Sequence, residues 1–187
     1  MDKKNFRKIC LDRLKRKNQV NSYKLDKIVL QKLSKYLKNS DSNVIMLYIP
    51  LKIEVNISSL IVKLRKEKKT LLVPFMEGES FALVKYRLPL NIKQFHVKEP
   101  NYSNKYKKKI DLAIVPIIGT DGTFRRVGFG KGFYDRFFEK NHKNINKILF
   151  ISRKYCVCPE VITDDYDVKG NDYITPKSNF LSKKLRI

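Results

Sequence analysis

Histidine is nearly absent from this chain, with only His96 and His142 in 187 residues. Two isolated imidazoles support neither a His metal centre nor a nucleophilic triad, and solvation or packing accounts for both. The three cysteines, Cys10, Cys156 and Cys158, are odd in number, and the Cys-x-Cys pair has no second pair to complete a zinc site. Reduced, structural thiols are therefore expected. No apolar run approaches the ~18 residues of a membrane span, and the start Met-Asp-Lys-Lys lacks the apolar core of a secretory leader, so a cytoplasmic location is expected. No repeat, Pro-rich linker or low-complexity tail divides the sequence. It reads as one domain over 1–187, long enough to bury a core without disulfides or metals.

Acidic residues are also scarce, at 18 against 41 Lys and Arg, for a formal net charge of +23. Such a surface suits a polyanion, and a nucleic-acid-binding module is one reading of it. The basic clusters, however, are spread along the chain at Lys3-Lys4, Arg13 to Lys17, Lys63 to Lys69 and Lys105 to Lys109, and none adjoins a nucleic-acid motif. Solvated faces of a Lys-, Asn- and Ile-rich composition are the favoured account.

Apolar patterning gives the architecture. Phe6, Ile9, Cys10 and Leu14 share one helical face, and Leu25, Ile28, Val29, Leu33, Tyr36 and Leu37 share another, with Ser22 as a candidate N-cap. Val44 to Ile49 reads as a buried strand, Ser58 to Lys68 as a helix and Thr70 to Phe75 as the next strand, a β-α-β unit. Ser80 to Tyr86 adds a strand, and an irregular stretch follows to Pro100. Asp111 to Val115 and Lys147 to Ile151 are strands around a second unit, and Asp172 to Thr175 is a further candidate. The alternation predicts a single three-layer α/β/α domain with a mostly parallel, Rossmann-like sheet and ligands at the carboxyl ends of its strands.

What is present in abundance lies between those last strands. Arg125-Arg-Val-Gly-Phe-Gly-Lys-Gly-Phe-Tyr-Asp-Arg136 combines three alternating glycines, four cations, aromatics and a carboxylate. A strand, a glycine loop and a helix N-terminus in succession aim backbone donors and the positive end of a helix dipole at one place. The dipole contributes only about 0.3–1 kcal/mol at an exposed site, so cations and a metal must supply most of any phosphate affinity. A Walker A loop is excluded because Gly132 stands where Ser or Thr follows the lysine, and the dinucleotide fingerprint because its third glycine falls one place later. A basic turn with no ligand is the bland alternative, and Asp135 with its aromatic neighbours weighs against it.

These residues resemble the 5-formyltetrahydrofolate cyclo-ligase family, also called methenyltetrahydrofolate synthetase. The resemblance rests on Asp111-Leu-Ala-Ile-Val-Pro116, Asp121 and Arg126-Val-Gly-Phe-Gly-Lys-Gly-Phe-Tyr-Asp135, with Lys3-x-x-x-Arg7, Tyr48-Ile-Pro50, Glu54-Val55 and Glu99-Pro100 in the family's order. Val127 and Phe133 replace the signature's Leu and first Tyr. Gly122 precedes the family's usual glycine position, occupied here by Phe124.

The resemblance implies an ATP- and Mg²⁺-dependent ligase of one-carbon metabolism. Its substrate would be 5-formyltetrahydrofolate and its product 5,10-methenyltetrahydrofolate, and it would act as a monomer without membrane or nucleic-acid partners. Arg126 and Lys131 would be catalytic. Lys3, Lys4, Arg7, Arg126, Gly128, Phe129, Gly130, Lys131, Gly132, Phe133 and Tyr134 would bind ATP. Ile49, Glu54, Phe129, Phe133 and Tyr134 would meet the folate, and Asp135 with Asp167 would hold the metal, with Asp164 or Asp165 as the lesser candidates for the second ligand. Read without the family, Lys3 and Arg7 are an exposed helix face, Glu54 a surface acid and Phe133 a core residue. A basic nucleic-acid module, stacking bases on Phe129, Phe133 and Tyr134, is the alternative function.

Overall fold

A computed structural model describes residues 1–17, 21–92, 98–177 and 179–181 of the chain. His96 lies outside the described residues, as do the side chains of Arg16 and Lys17 in the second basic cluster. In chain order the elements are α1 (Lys3–Lys17), α2 (Ser22–Lys38), β1 (Val44–Met46), α3 (Ser58–Lys66), β2 (Thr70–Glu77), β3 (Ser80–Lys85), β4 (Leu90–Ile92) and β5 (Lys98–Pro100). There follow β6 (Leu112–Pro116), β7 (Gly119–Asp121), β8 (Arg126–Val127), α4 (Phe133–Asn141), β9 (Ile148–Ile151), β10 (Val157–Cys158), β11 (Asp172–Ile174) and β12 (Asn179–Leu181).

Seven strands form the central sheet in the order β12-β11-β9-β6-β1-β2-β3. The inner five run parallel, and β3 and β12 pair antiparallel at the two edges. Because successive side chains on a strand point to opposite faces, apolar runs such as Ile45-Met46 and Ile114-Val115 feed two cores. Ile45 and Ile114 pack with Val29 and Leu33 of α2 and Leu60, Ile61 and Leu64 of α3. Met46 and Val115 pack on the other face with Phe137 and Phe138 of α4. This is the expected three-layer α/β arrangement with a mostly parallel sheet.

A second, small sheet, β10-β7-β8, stands beside the first. Helix α1 lies against it through Phe6, Cys10 and Leu14, which pack with Ile118, Val127, Cys156 and Cys158. Several expectations are corrected here. Ile9 is 40% exposed rather than part of the α1 face. Cys10 and Cys156 are joined by a disulfide with Cα atoms 6.3 Å apart, and only Cys158 is free; the packing of α1 brings together thiols 146 residues apart. Asn21, not Ser22, is the N-cap of α2, and it makes no side-chain capping bond. The stretch before Pro100 is not wholly irregular, since β4 and β5 pair antiparallel.

Candidate functional site

Parallel strand β6 ends at Pro116, and the chain then makes the β7–β8 hairpin before entering the glycine loop. The hairpin is clasped by Asp121, a fully buried carboxylate. It accepts bonds from the Thr123 amide and hydroxyl and from the Ile162 and Thr163 amides. Burial pushes the Asp121 pKa up, but the bonds from Thr123 and Thr163 outweigh it and hold the acid below its usual range. Phe124 sits at the turn with φ +64°, which explains why glycine suits this position. Its ring is nevertheless buried in the core beside Phe150.

The hairpin returns Arg126 to the end of β6. The Arg126 side chain is buried, its Nε donates to the Pro116 carbonyl at 3.2 Å, and its guanidinium lies 4.6 Å from the Tyr134 ring centroid. Its Nη1 stands 3.8 Å from the Asp135 carboxylate. A Cβ at Gly128 would lie 2.2 Å from that same Nη1, so the glycine makes room for the cation. Gly132, at φ +68°, starts α4 in the left-handed region, and places Phe133, Tyr134 and Asp135 in the first turn of the helix.

Helix α1 completes this region from the far end of the sequence. Arg7 Nε donates to the Gly128 carbonyl at 2.8 Å. Lys3 Nζ donates to Asp164 at 2.9 Å and to Asp167 at 2.5 Å. Neither residue is merely an exposed helix face. Lys4 is exposed, since one residue's step turns about 100° around the helix. The Asp167 carboxylate also accepts the Asp164 amide at 2.8 Å, and the neighbouring Val168 amide reaches Asp135 at 3.5 Å. Asp167 is buried and precedes the residue whose amide meets Asp135, whereas the Asp165 side chain is 98% exposed and pairs with Arg125. Among the described residues no group of three His, Cys, Asp or Glu forms a metal cluster. Asp135 and Asp167 match in kind the one or two protein oxygens that Mg²⁺ commonly takes, its shell being completed by phosphates and water.

A cavity of ≈300 Å³ opens beside the loop. Ile49, Glu54, Arg126, Phe129, Lys131, Gly132, Phe133 and Tyr134 all line it, together with Tyr48, Leu51, Pro74, Met76, Phe81 and Lys98. Apart from Tyr48, whose motif was noted, sequence reasoning did not select the second group. The position of Pro74 and Met76 toward the carboxyl end of a parallel strand is the signal that points to them. Met76 is further tied by its amide to buried Glu99 at 3.2 Å. Glu54 accepts the Leu51 amide at 2.8 Å. Burial raises the Glu54 pKa to about 7, against the lowering effects of that amide and of Arg126 and Arg153.

The segment carrying Glu54 is anchored from below. Arg153 grips Asp26 of α2 with Nε at 2.6 Å and Nη2 at 2.8 Å, and its Nη1 donates to the Lys52 carbonyl at 2.8 Å. Asp26 also accepts the Asn56 amide at 3.2 Å, and Tyr48 bonds the Val55 carbonyl at 2.7 Å. No local pattern announces the Asp26–Arg153 pair, because its members are 127 residues apart.

Residues 1–176 match the family model described as the 5-formyltetrahydrofolate cyclo-ligase family. The chain is similar to a 5-formyltetrahydrofolate cyclo-ligase of Mycoplasma genitalium, 27% identical over 151 residues that span 79% of this chain and 83% of that one. It is also similar to a mouse (Mus musculus) protein of the same description, 21% identical over 162 residues, 79% of this chain and 80% of the other. Among solved structures, an Aquifex aeolicus 5,10-methenyltetrahydrofolate synthetase superimposes with a TM-score of 0.81 at 26% identity, covering 98% of this chain and 94% of its own. A Mycoplasma pneumoniae 5,10-methenyltetrahydrofolate synthetase gives 0.74 at 22% identity over 94% and 99%, and shows the shared fold.

Proposed function

This chain belongs to the 5-formyltetrahydrofolate cyclo-ligase family, and from that premise we propose that it converts 5-formyltetrahydrofolate and ATP into 5,10-methenyltetrahydrofolate, ADP and phosphate. The observation that carries the reading is one cavity in which an apolar, aromatic wall with a single half-buried acid meets Arg126, Lys131 and Gly132 of the phosphate loop. A pterin needs the first and a triphosphate the second.

In the proposed reaction the formyl oxygen attacks the γ-phosphorus and ADP leaves. The nitrogen at position 10 then adds to the formyl carbon and gives up its proton. The C–O bond breaks, and the oxygen departs with the phosphate. The protein's task is placement and charge stabilisation, which is why neither a nucleophilic side chain nor a histidine base is needed. Arg126 and Lys131 face the transferring phosphoryl group, Arg126 being held there by Pro116 and Tyr134. Gly128, Gly130 and Gly132 let the backbone wrap the phosphates, and Arg7 braces the loop through Gly128. Ile49, Glu54, Phe129, Phe133 and Tyr134 hold the folate. Asp135 and Asp167 would hold Mg²⁺, which neutralises charge on the triphosphate. The enzyme reading takes precedence over the nucleic-acid module, and we read 1–187 as its single domain.

The test is direct. Methenyltetrahydrofolate absorbance should rise on mixing protein, ATP, Mg²⁺ and 5-formyltetrahydrofolate, and should not rise if any one is left out. Salt-sensitive oligonucleotide binding with no such turnover would sink the proposal.

A further inference from the structure

Asp135 in the first turn of α4 and the late carboxylates Asp164, Asp165 and Asp167 are each paired with a protein cation. Lys3 holds Asp164 and Asp167, Arg125 holds Asp165, and Arg126 faces Asp135. Two of those cations, Lys3 and Arg126, are the groups assigned to phosphates, and their partners Asp167 and Asp135 are the two assigned to metal. We propose that these two ion pairs are a partner-exchange device in which Lys3 stands in for the divalent cation on Asp167 until metal and nucleotide arrive together. This rests on the function proposed above.

The geometry makes Lys3 the controlling member. Its ammonium bonds two carboxylates at 2.9 and 2.5 Å, whereas Arg126 stands 3.8 Å from Asp135 and makes its recorded hydrogen bond to Pro116 instead. The Asp167 side chain is only 4% exposed, so bare metal must displace the ammonium rather than bind alongside it. Displacing Lys3 from Asp167 leaves its partly buried ammonium only the half-exposed Asp164, which is unfavourable because a desolvated ion that loses its closer partner keeps its desolvation penalty. A triphosphate supplies the new partner. Metal alone leaves Lys3 with Asp164 only, and metal-free nucleotide leaves Asp167 stranded if Lys3 leaves it; the two together satisfy all the charges.

Removing the ammonium should therefore open the site to metal without nucleotide. Without the ammonium, the 4%-exposed Asp167 carboxylate has no cation beside it among the described residues, which favours a divalent ion there. Free Mn²⁺ measured by electron paramagnetic resonance, in the absence of nucleotide, should bind Lys3→Met and Lys3→Gln at least about tenfold more tightly than wild type, a factor equivalent to about 1.4 kcal/mol. Lys3→Arg should stay close to wild type. In EDTA, Asp167→Asn, which leaves the ammonium only the half-exposed Asp164 carboxylate, should bind metal-free ATP more tightly than wild type, the reverse of what loss of a metal ligand alone would do. Unchanged Mn²⁺ affinity in both Lys3 variants would overturn the exchange. If the affinity gained in Lys3→Met survives addition of Asp167→Asn, the metal does not sit on Asp167, and the proposed metal pair falls together with the exchange.

Discussion

Two concavities of this molecule differ in size and in chemistry. The groove between α2 and α3 measures ≈790 Å³ and the cavity beside the glycine loop ≈300 Å³. The larger is lined by Lys27, Lys35, Lys38 and Lys63 among hydroxyls and amides, and its one acid, Asp26, is already held by Arg153. The smaller combines aromatic walls, a carboxyl pushed toward neutrality and a buried guanidinium. Size and positive charge are therefore poor guides to chemistry in a chain with this composition. What separates the two is convergence of unlike groups, each held by something other than solvent.

The sharpest way to break the comparison is at the Asp26–Arg153 pair, which joins the acid of the groove to the Glu54 segment through the Lys52 carbonyl. Arg153→Ala leaves the Asp26 carboxylate buried without its guanidinium and unties the Lys52 carbonyl, so it should destabilise the fold by about 3–5 kcal/mol, as loss of one partner of a buried pair does. Urea denaturation with an unchanged midpoint would show that the pair does not brace the Glu54 segment. Next, Arg126→Ala should lower kcat/KM by about 10²–10³-fold, the range found when one preorganised donor to developing charge is removed. Lys107→Ala, of equal charge change, should stay within about twofold because exposed charges contribute little. Equal losses in both variants would reduce the phosphate cradle to bulk electrostatics.

A smaller effect is expected from pH. The Glu54 pKa is raised to about 7 from an ordinary 4.5, so the folded protein holds this proton more tightly than the unfolded chain. The resulting stabilisation is fully present below the ordinary value and is lost as pH rises through about 7. Wild type should therefore lose stability relative to Glu54→Gln over that window, measured as the difference in their unfolding midpoints; parallel pH profiles would place Glu54 in open solvent. Smallest of all, the triple change Lys35→Ala, Lys38→Ala and Lys63→Ala should leave turnover within about twofold. A collapse in rate would make the groove part of the enzyme and reverse the comparison.

The central sheet was legible because buried parallel strands are written as uninterrupted apolar runs, as in Leu112 to Pro116. The two-residue strands β8 and β10 were not, since Arg126-Val127 and Val157-Cys158 are too short to carry a period. The glycine loop announced itself by composition, and family resemblance added Lys3, Arg7 and Glu54, which carry no local signal. What neither showed was who holds whom. Lys3 on Asp167 joins residues 164 apart, and no pattern in a linear chain encodes such a pairing. Asp26 on α2 likewise meets Arg153 from 127 residues away.

The docking of α1 carries a consequence for the order in which the molecule is made. During synthesis this helix leaves the ribosome well before the segments it packs on, at Ile118, Val127, Cys156 and Cys158, or the carboxylate its lysine holds. It must therefore wait, unpaired and strongly cationic, while the chain that will receive it is still being translated. A nascent chain arrested before the 160s would have the glycine loop but no carboxylate for Lys3, so the site is complete only when α1 folds back onto segments made long after it.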